Sequence, residues 1–294
     1  MSKESLLYKY QTASIAVKLI VINVAAYLLF NFIPWITRSN FFTLKKYFVL
    51  PNEPFEFITQ PWSVLSYSFL HGGFRHLLWN MVGIYFISRF ILNLFSERRF
   101  LTIYLLGAIS GGLLFLGLTN IIPALSGNSY LVGASASLMA ILVFIGSYTP
   151  HTEIRVFTFN IKLWHIALAL VILDVLSLES SNNKGGLVAH LGGAAFGYVY
   201  ARQLLQGNDI GEWFEKLMDT VAAWFSPKPK QKKSPLRTVH KTSKKKQTSS
   251  TINKTSKSEQ QQRIDVILDK ISKSGYESLS KSEKDFLFRA GKED

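Results

Sequence analysis

Residues 71–80 read HGGFRHLLWN and lead into a largely apolar stretch that runs to Phe95. His76 and Asn80 stand four apart at the start of that stretch, a spacing that puts them on one face of a helix. A polar side chain inside a segment long enough to cross a bilayer is costly and calls for a partner or a task. Two further apolar stretches begin the same way. Residues 132–148 read VGASASLMAILVFIGSY, with Ser135 near the start, and residues 186–205 read GLVAHLGGAAFGYVYARQLL, with His190 near the start. Three separate segments therefore bring polar groups to corresponding positions.

Working outward, six stretches approach the roughly 20 apolar residues that a spanning helix needs: 14–35, 76–95, 101–118, 132–148, 161–178 and 186–205. The chain of 294 residues is 48% hydrophobic and 18% charged, below the roughly 25% charge of soluble domains. Its formal net charge of +14 is concentrated after Pro227. Glycines 107, 111 and 112, and then Gly193 and Gly197, suit helices packed on one another. Cysteine is absent, which excludes disulfides, thiolate catalysis and Cys-ligated metals.

Basic residues in short connections set orientation. Lys3 and Lys9 precede the first stretch and Lys18 lies in its first turns, Arg98 and Arg99 follow the second, Arg155 and Lys162 follow the fourth, and the basic tail follows the sixth. The expectation is a multi-pass protein of the cell's inner membrane, an all-α six-transmembrane-helix bundle with both termini cytoplasmic. The first loop is the exception, since Arg38, Lys45, Lys46 and Arg75 would lie outside. That loop is also rich in aromatics, which fits either a cap packed on the bundle or a segment dipping into the outer leaflet.

With the N-terminus inside, even-numbered helices start at the outer face. His76, Asn80, Ser135 and His190 then share one depth. A serine hydroxyl becomes nucleophilic when a histidine takes its proton. Attack on a peptide carbonyl then creates an oxyanion that needs preorganised donors. No carboxylate is close to His190 in the sequence, so a dyad is expected and not a triad. Asp174, near the outer end of the fifth stretch, is read as solvated or capping.

These motifs resemble the rhomboid family. His71, His76 and Asn80 follow an H-x4-H-x3-N arrangement, Gly133–Ala134–Ser135 resembles its G-x-S, and AHLGGAAFG at 189–197 resembles its A-H-x-x-G-x-x-x-G. QPWSVLSYSFLH, 60–71, resembles the end of its first loop. The resemblance spans roughly 14–205. It implies Ser135 as nucleophile and His190 as base of an intramembrane serine protease. It also implies His76, Asn80 and the Ser135 N–H as the oxyanion hole, and structural roles for His71, Gly133, Gly193 and Gly197. Three positions depart from the pattern: Ser63 where arginine is usual, Ala136 where glycine is common, and Met139 where an aromatic often stacks on the catalytic histidine. The expected consequences are a loop that loses its arginine anchor, a methyl that crowds the oxyanion pocket, and looser restraint of His190.

Each residue has a plainer reading by itself. Ser135 could pack helices and His190 could be a structural hydrogen-bonder. Asn23 and Asn31 read as interhelical hydrogen-bonders. His151 and His165 lack partners at metal-ligand spacing, so neither metal nor cofactor is expected. A catalytically inactive relative binding membrane clients is the alternative of another class. A small-solute transporter is a more distant one, with no repeated halves to support it.

The expected organisation is a cytoplasmic N-terminus (1–13), the six-helix membrane domain (14–205) and an amphipathic helix within 206–225. A basic disordered linker (226–262) and a small helical tail (263–294) broken at Ser274–Gly275 complete it. Expected partners are transmembrane substrates and the bilayer, with the basic linker at the anionic inner leaflet. Nucleic acid is not expected, because the basic run lacks interleaved aromatics.

Overall fold

The computed structural model describes residues 5–38, 42–127, 129–156, 158–225 and 255–290. All six apolar stretches fold as helices. We label them α1 (Ile15–Thr37), α2 (Phe74–Leu92), α3 (Glu97–Ile121), α4 (Ser135–Tyr148), α5 (Leu163–Ser177) and α6 (Lys184–Leu205). By length and composition, α1 and α3 are long and apolar enough to cross a membrane, whereas α4 and α5 are apolar but short. Within α1, residues Leu28–Phe32 form a π-turn. Pro34, two residues on, cannot donate to the carbonyl four residues back, which loosens the ladder there.

Small residues hold the centre together. A Cβ on Gly107 of α3 would lie 2.4 Å from the Ala140 Cβ of α4, and one on Gly111 would lie 2.6 Å from that of Ala136. On the other side of α4, a Cβ on Gly193 of α6 would lie 2.0 Å from the Ala136 carbonyl oxygen. The same construction at Gly197 meets the Ala140 oxygen at 2.2 Å. No side chain fits at those distances, so the α6 backbone rests directly on α4. The pairings also give direction. Residue numbers rise together on α4 and α6 and run oppositely on α3 and α4, so α4 and α6 are parallel.

Around this centre, Phe144 lies 5.5 Å from Phe95 and 5.3 Å from Tyr200, measured between ring centroids. Tyr148 stacks on Phe144 at 5.9 Å and closes the aromatic cluster at that end.

The first loop is a cap. Its strand β1 (Leu50–Pro51) pairs antiparallel with β2 (Tyr130–Leu131), the strand that leads into α4. Trp62 Nε1 donates to the Tyr47 carbonyl at 2.8 Å and Ser66 Oγ to that of Phe48 at 2.7 Å. The Tyr67 hydroxyl, wholly buried, donates to the Ala108 carbonyl of α3 at 2.8 Å. Ser63 is buried with its hydroxyl unpaired among the described residues. The anchoring that an arginine there would supply comes instead from Trp62, Ser66 and Tyr67. Phe55, Ile58 and Trp62 remain exposed on the cap.

A hairpin of β3 (Glu153–Val156) and β4 (Phe159–Lys162) joins α4 to α5. Beyond α6, the helix α7 (Glu212–Phe225) is tied to the start of α3. Arg98 meets Asp219 at 3.0 Å, while Arg99 pairs with Glu215 at 3.2 Å and with Asp209. Asp209 also accepts from the Tyr200 hydroxyl at 2.7 Å. Arg99 is thus consumed by carboxylates and is not a free charge. Trp213, Leu217 and Trp224 stand exposed on α7.

The chain divides into two compact units, 1–229 and 230–294. In the second, α8 (Thr255–Ser274) and α9 (Lys281–Ala290) are joined through Gly275, whose φ is +77°. The break falls where the sequence placed it, but α8 begins eight residues earlier than 263. Residues 255–262, expected as linker, are helical because Lys, Glu and Gln are strong helix formers even without apolar neighbours. The rest of the expected linker, 226–254, lies outside the described residues. Helix α9 opens with a capping box, in which the Ser280 N–H donates to Glu283 at 2.7 Å and the Glu283 N–H to Ser280 Oγ at 3.4 Å. Lys270 on α8 meets the same carboxylate at 3.0 Å.

Candidate active site

Ser135 is the first residue of α4. It stands at a helix N-terminus, where backbone N–H groups are unpaired and the dipole favours negative charge. The turn before it depends on Gly133. That glycine has φ +126°, a conformation L side chains rarely adopt, and its N–H donates to the Tyr67 carbonyl at 3.0 Å. A Cβ there would lie 2.6 Å from His76 Nε2 and 3.6 Å from Ser135 Oγ. Glycine is therefore required twice, by its backbone angle and because the His76 ring fills the space. His76 and Ser135 border one small volume.

Asn80 is buried, and its Nδ2 donates to the His76 carbonyl at 2.8 Å on its own helix. The amide has a second N–H that this bond leaves free to donate. His71 is fully buried in the turn before α2, with its ring edge-on to that of His76 at 5.0 Å. Burial first, then the neighbouring charges of His76 and Lys45, push His71 down to about 3. It remains neutral near pH 7 and shapes the turn. Lys45 Nζ bonds the His71 carbonyl at 3.4 Å and Asn31 Oδ1 at 2.9 Å. Asn31 thus ties α1 to the cap, at its short helix Phe42–Lys45, whereas Asn23 Nδ2 donates to the Leu19 carbonyl of its own helix at 2.8 Å.

His190 lies one turn before Gly193 on α6. Since Gly193 rests on Ala136, the His190 turn faces the start of α4. His190 also lies within electrostatic range of His76. The largest departure from expectation concerns Asp174. Its Oδ2 lies 3.0 Å from His190 Nδ1, reaching from α5 to α6. Asp174 is not merely solvated, and a carboxylate does stand beside His190. Sixteen residues and a loop separate the two, so no short-range spacing could reveal the pair.

Ala136 does not crowd the pocket. Its methyl points at α3, where Gly111 leaves room. Met139 is buried in the core one turn below Ser135. The polar restraint on His190 comes from Asp174. Among the described residues, no group of three His, Cys, Asp or Glu side chains could hold a metal ion.

Residues 59–207, half of the chain, match the family model described as the rhomboid domain. The chain belongs to the rhomboid family. Rhomboids are membrane-integral proteins and generally serine intramembrane proteases. Residues 253–292 match a second model, a family of unknown function. Rhomboid protein 1, mitochondrial, of Saccharomyces cerevisiae is 24% identical over 221 residues, covering 74% of this chain and 60% of that protein. Presenilin-associated rhomboid-like protein A, mitochondrial, of Danio rerio is 30% identical over 141 residues, 47% of this chain and 36% of the relative. RHOMBOID-like protein 12, mitochondrial, of Arabidopsis thaliana is 26% identical over 158 residues, 50% of this chain and 47% of the relative. The chain thus spans less than two thirds of each of these rhomboid relatives.

Proposed function

We propose that this rhomboid is an intramembrane serine endopeptidase, with Ser135 as nucleophile and His190 as general base. The observation that carries the proposal is the register of α4 and α6, with Gly193 resting on the Ala136 carbonyl. That register leaves the turns of His190 and Ser135 side by side at the same end of two parallel helices.

The chemistry follows from the placement. His190 takes the Ser135 proton as Oγ attacks the scissile carbonyl. The oxyanion is held by the Ser135 N–H at the start of α4, with His76 and the second N–H of Asn80 as further donors. His190 returns the proton to the leaving amine, and water then hydrolyses the acyl-enzyme. Depth also fits. The 14 residues of α4 span about 21 Å at 1.5 Å per residue, short of a hydrocarbon core of about 30 Å. A helix so short supports a start below the surface, with Ser135 within the membrane and reached by water from one side. Substrates are then transmembrane segments, and those with helix-breaking residues are favoured because the scissile bond must leave its helix.

The finer topology belongs to the same proposal: six spans, both termini cytoplasmic, in the cell's inner membrane. Basic residues at the inner connections support it. The exposed Trp213, Leu217 and Trp224 support α7 lying at the lipid surface, with the basic segment after it near anionic headgroups.

The test is cleavage of a single-span substrate by purified protein in lipid. Ser135→Ala and His190→Ala are each expected to lower kcat by about a thousandfold or more while the fold is retained. Cleavage that survives Ser135→Ala would show another nucleophile. A folded, unmutated protein that cuts none of several substrates would favour client binding.

A further inference from the structure

We infer that Asp174 is a positioning residue of this site, holding His190 in the tautomer and orientation that proton transfer from Ser135 requires; this rests on the protease reading above. Asp174 Oδ2 and His190 Nδ1 are 3.0 Å apart, and both side chains are largely withdrawn from the surface, with 16% and 21% exposure. The carboxylate stands on α5 among apolar, exposed neighbours, Leu170, Ile172, Leu173, Val175 and Leu176. An isolated carboxylate there is costly, and such residues in membranes face a partner. His190 is the one hydrogen-bond partner of the Asp174 side chain among the described residues.

A neutral imidazole carries one proton on one of two nitrogens. A carboxylate beside Nδ1 accepts only if Nδ1 bears the hydrogen, which leaves the Nε2 lone pair free. That tautomer is the one able to act as a base. As Ser135 Oγ bonds to the carbonyl carbon, its proton passes to Nε2 and the carbonyl π pair becomes the oxyanion. The imidazolium so formed lies against the negative charge of Asp174. When the tetrahedral intermediate collapses, the C–N bond breaks and the Nε2 proton goes to the leaving nitrogen. Asp174 gains and loses no proton, and acts through His190 alone. The same contact replaces the restraint that an aromatic at position 139 would give.

The plain alternative is that Asp174 merely tethers α5 to α6. Full-length Asp174→Asn, Asp174→Ala and Asp174→Glu in lipid separate the two. Three measurements are made on each: the rate at which a fluorophosphonate labels Ser135, kcat and KM on a single-span substrate, and thermal unfolding. A positioning role predicts that Asp174→Asn lowers both labelling rate and kcat by about tenfold to a hundredfold, with KM within about twofold. Asp174→Glu recovers part of the loss. In the unmutated protein, the 15N signals of His190 show the proton on Nδ1, and in Asp174→Asn that preference is lost. Labelling and kcat unchanged in folded Asp174→Asn and Asp174→Ala would overturn the positioning role alone. So would losses that only follow the fraction unfolded. No labelling of Ser135 in the folded, unmutated protein would overturn the protease reading, and the positioning role with it.

Discussion

Helices α4 and α5 are both short and almost wholly apolar, yet ten residues of α4 are buried and only Leu163 and Ala167 of α5. Hydrophobicity does not separate them. In a bilayer, lipid tails are as apolar as leucine, so apolar residues gain little by leaving lipid for protein. What separates them is the surface their neighbours offer. Gly107 and Gly111 on one side and Gly193 and Gly197 on the other let α4 be enclosed at backbone distance. Away from its first turns, α5 meets no such surface. Beyond Val171, which packs partly buried on the core, its anchor is the bond from Asp174 to His190. One helix is held by shape and the other, near its far end, by one polar contact.

The sharpest way to break this comparison is to fill the groove that encloses α4. Gly193→Val puts carbon where the Ala136 carbonyl already sits, 2.0 Å from a Cβ. Because a backbone carbonyl cannot give way as a flexible side chain does, the cost is expected at or above the top of the ~1–3 kcal/mol typical of overpacking. On the protease reading, cleavage of a single-span substrate should go with it. Gly117→Val on α3 is the matched control, since a Cβ there meets nothing within 4 Å. Unfolding both variants in bicelles checks the pair, and equal stabilities would remove the packing argument.

A smaller effect should separate the two helices themselves. Phe144 on α4 is fully buried in the aromatic cluster, while Leu173 on α5 is 56% exposed. Phe144→Ala leaves a cavity and is expected to cost about 2 kcal/mol, below the ~3–5 of soluble cores because the transfer term is weak in lipid. Leu173→Ala should stay within about 0.5 kcal/mol. Comparable losses at both sites would mean that α5 is packed far more tightly than its exposure indicates.

The smallest effect lies in the second unit, where charge does the holding. The Ser280 N–H, then Lys270 and the Ser280 hydroxyl, hold Glu283 down to about 2 from its ordinary 4.5. A depressed carboxylate contributes stability that is fully present above its unfolded value and lost as pH falls through the folded one. Amide protection across 280–290 should therefore weaken between about pH 4.5 and 2. Glu283→Gln should flatten that dependence. Protection as steep in the variant would assign the acid sensitivity to another group.

The fold was largely legible because its signals are local. Apolar length marked each helix, and polar residues at the heads of three helices marked the candidate site. Gly193 and Gly197 announced a close approach before their contacts were known. The start of α8 was missed because linker and helix share the same Lys, Glu and Gln residues. The crowding expected of Ala136 was misplaced because motif comparison gives no direction to a Cβ. Asp174 was set aside for want of a near neighbour in the chain.

By itself, the sequence determined the order of the helices, the residues of the candidate site and the glycines able to bring helices close. These depend on composition and on periods of a few residues. Only the tertiary structure decided that Ala136 turns toward Gly111, that Arg99 is consumed by Asp209 and Glu215, and that Asp174 meets His190. Those partners are set by helix rotation and crossing, which arise from the packing of whole surfaces and leave no period in the chain.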